Sequence, residues 1–159
     1  MKLANFYLSL SAEIRDGQWP DAANGARRVA GTINASPSGV RPMYSERLRS
    51  LFHSREHAGS LPSATHFGEG GTRGQGPYIQ LWVRCAEGRV EEARFRTFGC
   101  PAAIACAEAA CRLGEGRSLS ETTSLTAAEI AAEAGGVPEG KEHCPQLAAQ
   151  AAASLQSCG

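Results

Sequence analysis

The sequence predicts an α+β fold in which a small antiparallel sheet of about three strands packs against several helices. One observation is an alternating apolar pattern over residues 78–85, which a turn and a second strand follow. Another is a set of helix-start signals concentrated in the second half of the chain, after residue 100. The third is the composition, which is rich in alanine and has only 6% aromatic residues, and which favours small helices on a modest sheet.

The front of the chain differs in composition from the rest. Apolar positions in residues 1–30 follow no sustained period, and residues 31–42 form a linker rich in Gly, Ser and Pro. We therefore expect residues 1–42 to be an N-terminal extension, peripheral or disordered, and residues 43–159 to form the domain.

The domain begins with a short helix and a loop. Ser45 precedes Leu48, Leu51 and Phe52, whose spacing predicts a short amphipathic helix. Residues 59–77 contain many glycines and predict a loop with one irregular strand around residues 65–68.

A β-hairpin follows the loop. In its first strand, residues 78–85, the apolar side chains fall on one face: Ile79, Leu81, Val83 and Cys85. Residues 86–88 supply the turn, and residues 90–98 return as the partner strand. The hairpin thus delivers Cys100 to the start of the next helix.

Helices fill the remainder of the chain. The first spans residues 101–113, and two capping boxes start the next two helices, one at Ser118 and one at Thr126. Gly135 and Gly136 stop the third, and the last helix begins after Cys144.

Composition and charge exclude several classes of function. Sixteen acidic and sixteen basic residues give a net charge of zero, which gives no electrostatic reason to expect nucleic acid or an anionic membrane as a partner. No apolar run approaches the roughly 20 residues that span a bilayer, and the first residues make a poor secretory signal. We expect a cytoplasmic protein whose six cysteines serve metal or sulfur chemistry rather than disulfides.

Two cysteines are each followed by a proline at the start of an alanine-rich segment. They are Cys100 and Cys144, and His143 lies beside the second. Proline is favoured at the first position of a helix, so each cysteine is predicted at the cap position. There, free N–H groups and the helix dipole lower a thiol pKa, and both cysteines are interpreted as reactive thiolates.

Several segments, in order and at similar spacing, resemble the IscU family, which includes the NifU N-terminal domain. They are residues 43–47, 92–100, 103–105, 116–119 and 141–144, and the likeness covers roughly residues 43–155. The resemblance implies an α+β scaffold, not an enzyme, for iron-sulfur cluster assembly. Such a scaffold receives sulfur from a cysteine desulfurase, binds iron or a [2Fe-2S] cluster, and passes the cluster to apo-proteins.

The resemblance also assigns site residues. Cys100 matches the second ligand cysteine, His143 the ligand histidine, Cys144 the third cysteine and sulfur acceptor, and Lys141 the neighbouring lysine. The family's first cysteine and its aspartate, in a Cys-Gly-Asp motif, are replaced by residues 75–77, Gln-Gly-Pro. The family's chaperone-docking segment is also altered, at residues 137–141, so the resemblance does not extend to chaperone docking.

Other residues are weighed as substitutes for the missing ligand. Cys106 and Cys111 lie about 9 and 16 Å along the helix that Cys100 opens, too far to share its metal. Cys111 is interpreted as core and Cys106 as a serine-like helix position. His66 and Glu69, in the loop before the missing motif, are the better candidates. His53 and His57 are explained by capping or solvent exposure.

Three hypotheses follow. The first is a cluster scaffold with a divergent site, in which three ligands remain and a fourth comes from a second subunit, a partner or glutathione. The second is a zinc-binding or sulfur-relay adaptor of a desulfurase that builds no cluster, since three ligands suffice for zinc. The third, a cysteine enzyme with Cys144 as nucleophile, is disfavoured because neighbouring side chains at a helix start should point apart and leave His143 badly placed.

Overall fold

The structure, a computed structural model, describes residues 42–158. The predicted N-terminal extension lies outside the described residues except for its last position. The elements are helix α1 (Glu46–Ser54), strands β1 (His66–Gly70), β2 (Tyr78–Ala86) and β3 (Arg89–Phe98), helices α2 (Pro101–Gly114), α3 (Leu119–Thr123), α4 (Ala127–Glu133) and α5 (His143–Ala153), and strand β4 (Gln156–Ser157). This order, with the strands mostly before the helices, confirms the α+β fold. Between residues 42 and 158, no helix combines the length and apolarity needed to cross a bilayer.

The sheet has four antiparallel strands in the order β3-β2-β1-β4, one more than predicted. The extra strand is the two-residue β4, which pairs with β1 through His66↔Ser157 and Phe67↔Gln156. The Cys158 N–H also donates to the Thr65 carbonyl at 2.8 Å. The otherwise unpaired edge of β1 therefore takes up the chain that leaves α5.

The predicted hairpin is confirmed. Ile79, Leu81 and Val83 of β2 are buried, and β2 pairs with β3 from Tyr78↔Phe98 to Ala86↔Arg89. Glu87 and Gly88 both have positive φ, 51° and 77°, as a tight turn between twisted strands requires. β3 therefore ends two residues before Cys100, as predicted.

The helices other than α5 begin where the capping residues predict. Ser45 caps α1, and complete capping boxes start α3 at Ser118 and α4 at Thr126. α2 is the central helix, in which most side chains, many of them alanine, are buried against the sheet and the other helices. Gly135, at φ 76°, ends α4 as expected.

β1 and α5 are in direct backbone contact. A Cβ added to Gly70 would lie 2.0 Å from the Leu147 carbonyl oxygen, and one on Gly68 would lie 2.2 Å from that of Ala151. Since no side chain fits between the two elements, the glycines allow α5 to lie flat on the sheet. This contact fixes the position of α5 and of the residues at its start.

Candidate metal and sulfur site

The fold brings together two of the cysteines that the sequence singled out. The sulfur of Cys100, at the start of α2, lies 3.6 Å from the sulfur of Cys144, at the start of α5. The Nε2 atom of His143 lies 3.5 Å from the Cys144 sulfur. The two helices pack side by side with these starts together, so residues from distant parts of the chain form one cluster.

Cys100 occupies the predicted cap position of α2. Its backbone is extended (φ −81°, ψ 169°), Pro101 follows, and its side chain makes no capping hydrogen bond. Partial burial raises the pKa of the Cys100 thiol, but the N–H groups of Ala103 and Ala102, the Cys144 thiol and the Lys141 ammonium outweigh it, so the pKa is lowered overall. The prediction of a thiol with a lowered pKa is confirmed here.

Cys144 does not occupy the cap position that the sequence predicted. Glu142 caps α5, Cys144 is the second helical residue, and its N–H donates to the Lys141 carbonyl at 2.9 Å. Proline is tolerated one residue later because first-turn N–H groups lack helical partners anyway. The Cys144 side chain is 0% exposed. Burial and the neighbouring Cys100 thiol raise the pKa of Cys144 to about 12, so the expected thiolate is not found there.

His143 lies closer to Cys144 than expected. Adjacent side chains at a helix start are expected to point apart, yet the exposed imidazole reaches the Cys144 sulfur. Glu142 already has helical φ and ψ, so His143 lies within a tight first turn rather than ahead of it. The charge of Lys141 acts to lower the pKa of both thiols, although the pKa of Cys144 stays raised overall, so this lysine lies near the cluster as well.

The two substitute ligands do not join the cluster. Glu69 shares its sheet face with Gln80, whose amide donates to it at 2.7 Å, and α5 packs on the opposite face against Gly68 and Gly70. His66 starts β1 beside β4, where its Nδ1 lies 2.9 Å from the Thr65 hydroxyl. The start of α5 is at the other end of β1, so neither side chain reaches Cys100 or Cys144.

The segment that replaces the missing motif does lie beside the cluster. Pro77 precedes β2, and a Cβ on Gly99, next to Cys100, would lie 3.4 Å from the Pro77 Cβ. The backbone there is in place, but the segment offers an exposed amide, Gln75, instead of a thiol. Within residues 42–158, no three His, Cys, Asp or Glu side chains converge as a formed metal site. The cluster is thus a contacting thiol pair with an imidazole on one of its members.

The other cysteines lie outside this cluster. Cys111 is buried in the core, as expected, and Cys85 packs against the core. Cys106 is not the serine-like position we expected, because its side chain is completely buried. Burial and the nearby Cys144 and Cys100 sulfurs raise its pKa to about 12.

The sequence reasoning missed a buried ionic network. Glu108, with 0% exposure, accepts hydrogen bonds from the His57 Nδ1 at 2.8 Å, the His57 N–H at 3.1 Å and the Arg112 Nε at 3.0 Å. The explanation of His57 by capping or exposure was wrong, because its side chain is mostly buried in this network. The sequence did contain a signal for this network, because Glu108 is a single charged residue inside the apolar part of α2 and so needs a buried partner.

Comparison with known proteins decides the family. The family model of the NifU-like N-terminal domain matches residues 43–155. The chain belongs to this family. The IscU/NifU resemblance is thereby confirmed.

Two relatives and one solved structure illustrate the likeness of this NifU-like domain. An Archaeoglobus fulgidus protein named iron-sulfur cluster assembly scaffold protein IscU 1 is 32% identical over 109 residues, which are 69% of this chain and 71% of that protein. The nitrogen fixation protein NifU of Cereibacter sphaeroides is 41% identical over 88 residues, 55% of this chain and 36% of that protein. A Fervidobacterium islandicum AW-1 crystal structure, described as a SUF-system scaffold, superposes with a TM-score of 0.56 at 14% identity, covering 70% of this chain and 94% of the other. It supports the α+β fold alone.

Proposed function

We propose that this NifU-like domain is a scaffold for iron-sulfur cluster assembly, which binds iron or a [2Fe-2S] cluster as cargo and passes it to apo-proteins. Family membership and the names of relatives such as the A. fulgidus scaffold support the general role. The observation that carries the proposal is the 3.6 Å separation of the Cys100 and Cys144 sulfurs.

This separation suits a shared metal ion. Two thiolates bound tetrahedrally at about 2.3 Å lie about 3.8 Å apart, close to the observed 3.6 Å. The His143 imidazole is exposed and already contacts the Cys144 sulfur, so a rotation about its side-chain bonds would bring a nitrogen ligand to the same ion. Lys141 beside the thiols offsets the negative charge that the bound thiolates carry.

The proposed site is divergent. Since residues 75–77 supply neither thiolate nor carboxylate, a two-iron cluster needs an outside ligand from a second subunit, a partner protein or glutathione. We propose a cysteine desulfurase as the sulfur source and apo iron-sulfur proteins as recipients, with Cys144 as the residue on which sulfur is finally held. The cytoplasmic location stays a prediction.

We do not propose an enzymatic role. His143 and Cys144 are in contact, as a thiol nucleophile and its base would be. However, the Cys144 sulfur is fully buried, and in residues 42–158 the imidazole makes no further hydrogen bond that would orient it. A base without an orienting partner, beside a nucleophile closed to substrate, does not favour cysteine catalysis.

The alternative is a zinc-binding or sulfur-relay adaptor of a desulfurase that builds no cluster. The Gln-Gly-Pro segment in the place of the family's Cys-Gly-Asp favours it, because this segment lies beside Cys100 without offering a ligand. Two thiols and one imidazole are enough for zinc with an open position.

Cluster transfer separates the two functions. The protein is incubated anaerobically with ferrous iron and sulfide, desalted, and mixed with an apo-ferredoxin in the presence of an iron chelator. A scaffold restores the ferredoxin spectrum, whereas the same reagents without the protein do not. A zinc-loaded protein that transfers no cluster would overturn the scaffold proposal in favour of the adaptor.

A further inference from the structure

The two contacting thiols differ in accessibility. Cys144 is 0% exposed, whereas Cys100, at the N-terminus of α2, is half-buried. The two residues before Cys100, Phe98 and Gly99, are both exposed, and Phe98 is 63% exposed. An incoming sulfur donor can therefore approach Cys100 along the end of β3, while Cys144 lies behind it.

We propose that sulfur enters this domain at Cys100 and passes from there to Cys144. The inference rests on the proposed function, in which Cys144 finally holds the sulfur, and it adds a second sulfur-carrying residue. The donor is a persulfide, in which one sulfur atom is bonded to a thiol sulfur. The sulfurs of Cys100 and Cys144, at 3.6 Å, are within contact distance for the transfer.

Both steps are exchanges of one sulfur atom. In the first, the Cys100 thiolate attacks the outer sulfur of the donor persulfide, the donor's S–S bond breaks, and the donor leaves as a thiolate. In the second, the Cys144 sulfur attacks the outer sulfur of the Cys100 persulfide. The S–S bond that joins this outer sulfur to the Cys100 sulfur breaks, its electron pair returns to the Cys100 sulfur, and the Cys144 proton moves to that sulfur. The products are a Cys144 persulfide and a free Cys100 thiol, so no oxidant or reductant is consumed.

The cap position of Cys100 allows a clean variant. Serine is among the best helix caps, and the Cys100 side chain makes no capping hydrogen bond, so Cys100→Ser should keep α2 intact. Cys144→Ala removes only the second sulfur. The exposed Cys158 shares the C-terminal tryptic peptide, residues 142–159, with Cys144, so all proteins carry Cys158→Ser as background.

The experiment uses metal-free protein, glutathione persulfide as the probe, and time-resolved peptide mass spectrometry. In the background protein, the added sulfur should appear first on Cys100 and then on Cys144. In Cys144→Ala it should stay on Cys100. In Cys100→Ser, labelling of Cys144 should slow by about tenfold or more, because a buried sulfur then depends on local opening of the helix start. Circular dichroism confirms that each variant is folded.

Three results would overturn the proposal. Cys144 labelled as fast in Cys100→Ser as in the background protein would show direct entry. Sulfur retained on Cys100 in the background protein would show that no transfer occurs. A Cys100–Cys144 disulfide with released sulfide would show that the pair reduces the persulfide instead of passing it on. Cluster assembly from iron and inorganic sulfide involves no persulfide, so a failure of the scaffold function would be seen separately.

Discussion

The Cys100 sulfur lies 3.6 Å from the Cys144 sulfur, although 44 positions separate the two residues in the chain. Two features of the fold produce this contact. The β2–β3 hairpin ends beside the start of α2, and the glycines of β1 let α5 lie directly on the sheet. The site is therefore assembled by rigid elements on both sides, which favours a fixed thiol pair over a flexible one.

Serine substitutions should separate the structural roles of the two thiols. Cys100→Ser should leave the free energy of unfolding unchanged or raise it, because a serine cap contributes about 0.5–2 kcal/mol relative to a residue that cannot cap. Cys144→Ser should lower it by about 1–3 kcal/mol, because a hydroxyl replaces a fully buried thiol. Urea denaturation of the metal-free proteins measures both values. If Cys100→Ser lowered the free energy of unfolding more than Cys144→Ser does, the structural roles assigned here to the capping thiol and the buried thiol would be wrong.

His143 and His66 should differ in their effect on metal binding. His143→Ala should weaken Co²⁺ binding by at least about tenfold, since losing even an outer-shell partner of a metal site costs that much. His66→Ala should leave binding unchanged, because its imidazole lies beside Thr65 at the far end of β1. Titration of the thiolate-to-cobalt absorption band measures both affinities. Equal weakening by the two variants would mean that His66 reaches the site after all.

The buried carboxylate of Glu108 should make stability depend on pH. Burial alone would raise the pKa of Glu108, but hydrogen bonds from His57 and Arg112 outweigh it and hold the pKa below its ordinary value of 4.5. The stabilising contribution is therefore complete above about pH 4.5 and is lost as the pH falls through the lowered pKa. Glu108→Gln should lower the free energy of unfolding by about 1.5–3 kcal/mol at neutral pH. The difference in this free energy between the variant and the wild type should become smaller in acid.

Urea denaturation across this pH range provides the measurement for Glu108. Glu87→Gln, on the exposed hairpin turn, is the matched control and should change stability by less than about 0.5 kcal/mol at any pH. A Glu108→Gln deficit that stays constant from neutral to acidic pH would argue against a buried, ionised carboxylate.

The contact between β1 and α5 should not tolerate a methyl group. Gly70→Ala would place its Cβ 2.0 Å from the Leu147 carbonyl oxygen, so the strand and the helix must separate. We expect the free energy of unfolding to fall by about 3 kcal/mol or more, at the upper end of the range for overpacking, because backbone atoms cannot move away by changing rotamer as a side chain can. Gly74→Ala is the control, since it has positive φ but open space, and should cost only about 1 kcal/mol. Similar thermal shifts in the two variants would contradict the close contact, because Gly70, unlike Gly74, does not have a positive φ.

The parts of the fold that local signals specify could be predicted from the sequence. The alternation in β2, the turn at Gly88 and the capping boxes at Ser118 and Thr126 depend on neighbouring residues alone, and all were found where expected. Strand β4 could not be predicted, because two residues show no alternation and their pairing with β1 depends on the end of α5. The same applies to the His57–Glu108 contact, which joins residues 51 positions apart.

The candidate site was predictable in its membership but not in its geometry. The motif placed Cys100, His143 and Cys144 in one group, and the fold brings them together. Proline alone could not show that α5 begins one residue before Cys144, and hence that this thiol is buried. The positions of His66 and Glu69 depend on the register of β1 and on which face α5 covers, and neither can be read from a glycine-rich loop.

The proposed cluster site at Cys100 and Cys144 is tested most directly by the visible absorption spectrum after anaerobic reconstitution with iron and sulfide, with Cys100→Ser as the comparison. We expect sulfide-to-iron charge-transfer bands in the wild type that are lost in Cys100→Ser, because the Cys100 and Cys144 sulfurs hold the cluster together. A colourless wild-type protein that retains zinc would contradict it, as would bands of equal intensity in the variant.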